Sequence, residues 1–134
     1  MSLEDLSQVV TCNGRYWYNT ANRQHRDNGL PAVKFADGGR EWWINNRVHR
    51  DGDLPAVVLT NGTRYWYNKG QHHRDGGLPA MEYAAIRYWY VHGLLHRDGG
   101  LPAIEFADGK CEWWVNGIRQ PGGCKNTYYS DMTV

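Results

Sequence analysis

Phenylalanine is nearly missing from this 134-residue chain, which has two Phe against seven Trp and nine Tyr. That excludes a deep core of wholly apolar rings; amphipathic rings, each with one polar atom, suit a half-buried sheet surface. Net charge is equally scarce, because 15 Lys and Arg against 14 Asp and Glu leave +1. The two signs are interleaved, so charge gives no whole-chain case for nucleic acid or a membrane. Long apolar runs are absent and the opening MSLEDLSQVV is acidic, so neither a signal peptide nor a membrane span is expected, and the expected location is cytoplasmic. Cysteine is limited to Cys12, Cys111 and Cys124, an odd number without metal-ligand spacing. Three free thiols in a reducing compartment are the expectation.

What the chain has in abundance is repetition. The phrase HRDGDLPA at His49 has near-copies at His25, His73 and His96, which makes the period 24, 24 and 23 residues. A fixed period of this size marks a repeat array, in which each unit buries its apolar groups against its neighbours. One repeat domain over 1–134 is expected, with a degenerate first unit at 8–29, full repeats at 30–53, 54–77, 78–100 and 101–118, and a C-terminal cap at 119–134. Each full repeat reads Leu-Pro-Ala, an apolar run, an Asx-Gly turn and an aromatic run, as in Leu30-Pro31-Ala32, Val33–Ala36, Asp37-Gly38-Gly39 and Arg40–Ile44. Two short strands about a turn that accepts positive φ make a β-hairpin, and Pro before the first strand costs no ladder bond. In the fourth repeat Ala85-Ile86 stands where Asn-Gly is expected, so that turn should differ in type and carry strain. Thr127-Tyr128-Tyr129 suggests a strand that closes the last edge.

Alternation assigns faces. Val33/Phe35, Val57/Leu59, Met81/Tyr83 and Ile104/Phe106 point one way and Lys34, Val58, Glu82 and Glu105 the other. Trp17, Trp42, Trp66, Trp89 and Trp113 form an all-Trp ladder, which is expected to be the core seam, packed with the aliphatic set and the Leu-Pro-Ala loops. Tyr18, Trp43, Tyr67, Tyr90 and Trp114 then lie opposite, with Tyr16, Glu41, Tyr65, Tyr88 and Glu112.

HRD is also the catalytic phrase of protein kinases, but four copies without a Gly-rich loop, strand Lys or DFG exclude that chemistry. Asp27, Asp51, Asp75 and Asp98 are expected to cap turns, and Arg26, Arg50, Arg74 and Arg97 to stack on Trp or pair with a carboxylate. Equivalent atoms of successive hairpins lie about 9.5 Å apart, too far for His25, His49, His73 and His96 to share a metal ion. The one histidine cluster left open is His72-His73 with His92. The same four Arg are candidate phosphate ligands, with aromatics for base stacking, so nucleotide or single-stranded nucleic-acid binding is an alternative function.

The phrasing W-aromatic-x-N-G-x-x-H-R-x-x-G-L-P-A, matched directly at Asn116-Gly117 and with departures at Asn45-Asn46, Asn68-Lys69-Gly70 and His92-Gly93, resembles the MORN-like repeats of phages and large DNA viruses over Val9 to Gly117. The resemblance implies an elongated antiparallel sheet of about five stacked hairpins, protein binding, and no catalytic residues, metal or cofactor. It also implies a viral protein that occupies the surface of a host factor, with bacterial defence machinery such as a CRISPR effector as a target. A looser resemblance, to the choline-binding repeats of bacterial cell-wall proteins, implies a quaternary ammonium held between aromatics of neighbouring units. The expected function is therefore non-enzymatic protein binding through Trp43, Tyr65, Tyr67, Tyr88, Tyr90 and Trp114.

Overall fold

A computed structural model describes residues 7–124. These are all β, with eighteen short strands; among them no helix is long and apolar enough to cross a membrane. The closing strand expected at Thr127-Tyr128-Tyr129 lies outside the described residues, as does the cap beyond Cys124. The chain falls into two compact units that divide after Gln71.

The first unit holds β1 (Ser7–Thr11), β2 (Gly14–Tyr18), β3 (Val33–Phe35), β4 (Arg40–Glu41), β5 (Trp43–Ile44), β6 (Arg47–Val48), β7 (Val57–Val58), β8 (Arg64–Tyr65) and β9 (Tyr67–Asn68). β1, β2, β3, β4, β7 and β8 are successive antiparallel neighbours, while β5 pairs with β6 in a side hairpin. β10 (Gln71–His72) spans the division. The second unit holds β11 (Met81–Tyr83), β12 (Ile86–Tyr88), β13 (Tyr90–Val91), β14 (Leu94–Leu95), β15 (Ile104–Glu105), β16 (Cys111–Glu112), β17 (Trp114–Val115) and β18 (Ile118–Arg119). There β11, β12, β15 and β16 form the main sheet, and β13–β14 and β17–β18 are side hairpins.

The side hairpins exist because the aromatic run is not one strand. It breaks at the Trp, whose backbone serves two partners. Trp42 donates its N–H to the Ala56 carbonyl at 2.8 Å and accepts from the His49 N–H at 3.0 Å. Trp89 does the same with Ala103 and His96, at 2.8 and 3.0 Å. The residues before the Trp stay in the main sheet, and those after it turn back on their own loop.

The register corrects the face assignment, because directly paired residues share a side. Tyr16, Val33, Glu41, Val57 and Tyr65 form one cross-strand row in the first unit, and Met81, Tyr88, Ile104 and Glu112 one row in the second. The aliphatic set therefore shares its side with the Tyr/Glu positions and not with the all-Trp ladder. Trp17, Trp42, Trp66 and Trp89 are nonetheless buried, each below 10% exposed. The Leu-Pro-Ala loops split. Ala32, Ala56, Ala80 and Ala103 are fully buried, whereas Leu30, Leu54, Leu78 and Leu101 are 43–49% exposed, so the leucines are not core.

Turns follow the Gly grammar with one shift. In the second repeat Phe35 N–H bonds Gly39 O at 2.9 Å and Gly38 N–H bonds Phe35 O at 3.0 Å; Leu59 with Thr63 and Gly62, and Phe106 with Lys110 and Gly109, repeat the pattern. In the fourth repeat Tyr83 pairs with Ile86, so the loop is Ala84-Ala85, at φ 46° and 66°. The one-residue deletion thus gives a two-residue turn, one place earlier than the sequence suggests. Gly14 is required for close approach: a Cβ there would come 2.2 Å from the Lys34 carbonyl oxygen.

Candidate binding surface

The HRD loop holds itself and its neighbours together. Nε2 of His25, His49, His73 and His96 meets an Asp27, Asp51, Asp75 or Asp98 oxygen at 2.7–2.9 Å. Nδ1 of the same rings accepts a backbone N–H from the following side hairpin: Asn45, Lys69, His92 and Asn116, at 3.0–3.1 Å. A ring that accepts at Nδ1 carries its proton on Nε2 and donates it to the Asp. Each Asp thus orients a His, instead of capping a turn as expected. Arg26, Arg50, Arg74 and Arg97 each donate Nη1–H to the carbonyl of Pro31, Pro55, Pro79 or Pro102 at 3.0–3.2 Å. Arg26 lies over Trp17, Arg50 over Trp42 and Arg97 over Trp89, at 3.7–3.9 Å from the ring centroids. Arg97 also pairs with Glu105 at 2.9 Å, and Arg74 with Glu82 at 3.8 Å. The Trp indoles close the same loops: Nε1 of Trp42, Trp66, Trp89 and Trp113 donates to the carbonyl of Gly29, Asp53, Gly77 and Gly100, at 2.9–3.2 Å. Burial lowers the pKa of Arg26 and Arg50, the latter also through the nearby Arg40 charge.

The six residues expected to bind a partner are all half-buried. Trp43 and Trp114 open side hairpins and donate Nε1–H to Glu41 at 2.7 Å and Glu112 at 2.9 Å. Tyr65 and Tyr67 have ring centroids 6.4 Å apart. Tyr90 lies 4.8 Å from the His72 ring, and Tyr88 sits on β12 opposite Met81 and Ile104. In the first unit an open pocket of about 330 Å³ lies against Trp43, and its other walls include Trp42, Ile44, Leu54, Arg26 and Arg50. Ile44 and Leu54 did not stand out in the sequence. The recurrence of Leu in all four Leu-Pro-Ala phrases was the available signal, but without the strand break at Trp42 it reads as core.

Among the described residues no three His, Cys, Asp or Glu converge to hold a metal ion. His73 and His92 stack at 4.5 Å, with both His73 ring nitrogens engaged as above. The cysteine expectation is corrected: Cys111 and Cys124 form a disulfide, with Cα atoms 4.9 Å apart, and only Cys12 is free among the described residues. Gln120 takes the place of the loop His, its N–H bonding Trp113 O at 2.8 Å, and this turn leads the chain back so that Cys124 N–H reaches Cys111 O at 3.4 Å. No protein-family model, curated protein or solved structure matches the chain.

Proposed function

We propose that the protein is a non-enzymatic binding module whose partner is another protein, held by the rings that open the side hairpins and by the exposed loop leucines. The observation that carries this reading is the pocket beside Trp43, where Ile44, Leu54 and a half-buried Trp stand next to Arg26 and Arg50. Trp and Arg are enriched among the residues in which protein interfaces concentrate their binding energy, and aliphatic surroundings such as Ile44 and Leu54 keep water from them. The repeated His, Arg and Asp, which are the chain's best candidates for chemistry, are engaged with one another and with backbone carbonyls, which supports binding over catalysis. The likeness to MORN-like repeats points the same way and makes a host factor, in a viral setting, the partner to test.

The test immobilises wild-type protein and the Trp43→Ala/Leu54→Ala variant as baits. Proteins retained by the wild type should be lost by tenfold or more on the variant, with its fold intact by circular dichroism. Equal retention by both baits, or no protein retained by the wild type, overturns the reading.

A further inference from the structure

The other cross-strand row of the first unit runs from Val10 through Arg15, Lys34, Arg40, Val58 and Arg64, each directly opposite the next. Four of the six are cations, and those four are exposed. Like charges directly opposite on neighbouring strands destabilise a sheet. Arg15, Lys34 and Arg40 face one another with no hydrogen bond or ion pair to an acid among the described residues. Arg50, over Trp42, crowds the same charges, and its pKa is lowered first by burial and then by Arg40. The second unit shows what a compensated version looks like. Its equivalent row runs Glu82, Arg87, Glu105 and Cys111, with the signs alternating. The acids there also meet Arg74 and Arg97.

We propose that this row is a binding site for the phosphodiester backbone of a nucleic acid, separate from the protein-binding pocket and independent of base sequence. Adjacent strands are about 4.8 Å apart, so five of them set out the charges along a line of about 19 Å. That geometry suits a chain of regularly spaced anions. Three of the four cations are Arg, whose planar fork matches phosphate oxygens. Base stacking is not offered, since Trp17 and Trp42 are buried and covered by Arg26 and Arg50. Affinity should therefore come from charge neutralisation and fall steeply with salt.

The decisive variant is Lys34→Glu, which gives the row the alternating signs of the second unit. Its control is Lys110→Glu, the same charge change in the second unit. Fluorescence anisotropy with a labelled 20-nucleotide oligo-dT should show saturable binding at 50 mM salt, with a log–log salt slope of about −2 to −3 for three or four phosphate contacts. Lys34→Glu should weaken it tenfold or more and raise the melting temperature, while Lys110→Glu changes affinity less than twofold. A 20-base-pair duplex in place of oligo-dT distinguishes single from double strands, and binding to either supports the site. No binding to either at 50 mM salt, equal losses in the two variants, a lower melting temperature for Lys34→Glu, or tighter binding of a 20-residue polyglutamate than of oligo-dT each overturns the proposal. These results do not depend on whether the Trp43→Ala/Leu54→Ala bait loses its proteins, so either reading can fail alone.

Discussion

His25 has both ring nitrogens committed: Nε2–H to Asp27 and Nδ1 to the Asn45 N–H. A second proton would have to go on Nδ1, facing another donor 3.1 Å away. Burial already lowers the pKa of this ring below 6.5, and burial does the same for His72. For both, the unfolded chain takes up the proton first. Their contribution to stability is complete above about pH 6.5, the ordinary imidazole value, and is lost as the pH falls from there toward the lowered folded value. Urea unfolding at pH 7.5 and 5.5 should show lower stability at the acid value, and a rise on acidification would contradict the assigned tautomer. Replacing His25 by Leu removes the acceptor of the Asn45 N–H and should cost about 1–2 kcal/mol at pH 7.5. The sequence shows that these histidines recur. It does not show what each nitrogen meets, because the Asn45, Lys69, His92 and Asn116 donors lie 19–20 residues away.

The hairpin of β11 and β12 closes on Ala84-Ala85, both with left-handed φ. For an L-residue with a Cβ this conformation costs roughly 1–2 kcal/mol. Asn-Gly is the pair that such a two-residue turn favours. Ala84→Asn with Ala85→Gly should stabilise the protein by about 1–2 kcal/mol, read as a higher urea midpoint at unchanged slope; a lower midpoint would mean that the alanines are held by packing. The turn's irregularity was visible in the sequence, since Asn-Gly is missing, but its position was not: losing one residue changed the loop type and drew Ile86 into the strand. The strand breaks were illegible for a related reason. Tyr-Trp-Tyr and Glu-Trp-Trp have strong strand propensity throughout, and nothing local reveals that Trp42 bonds Ala56 on one side and His49 on the other. The exposed leucines and the shared row of Val33 and Tyr16 follow from those breaks and from register, which alternation alone does not supply.

Over the whole molecule, the all-β class and the hairpin repeats were legible because turn residues, aromatics and the HRD phrase recur in phase. The pairing of Cys111 with Cys124 was not, because Cys124 follows the last repeat and has no counterpart in the others. A repeat array gains its stability from units and the contacts between them. Deleting the 24 residues 31–54 joins Leu30 to Pro55 and restores a Leu-Pro-Ala phrase. The shortened protein should retain its strand-rich circular dichroism and melt at a lower temperature, while deletion of residues 31–42 alone should abolish the fold. The divided allegiance of Trp17, Trp42 and Trp89 gives this a genetic meaning. Because one residue bonds forward to the next Ala and back to its own loop, no single hairpin is a self-contained module. A tandem duplication can begin at any codon of the period and still return a Trp such as Trp42 to both of its partners, provided that the copied length is a full period. The array can therefore grow or shrink by unequal crossing-over without a privileged junction, and selection acts on the length of the insert and not on where it starts.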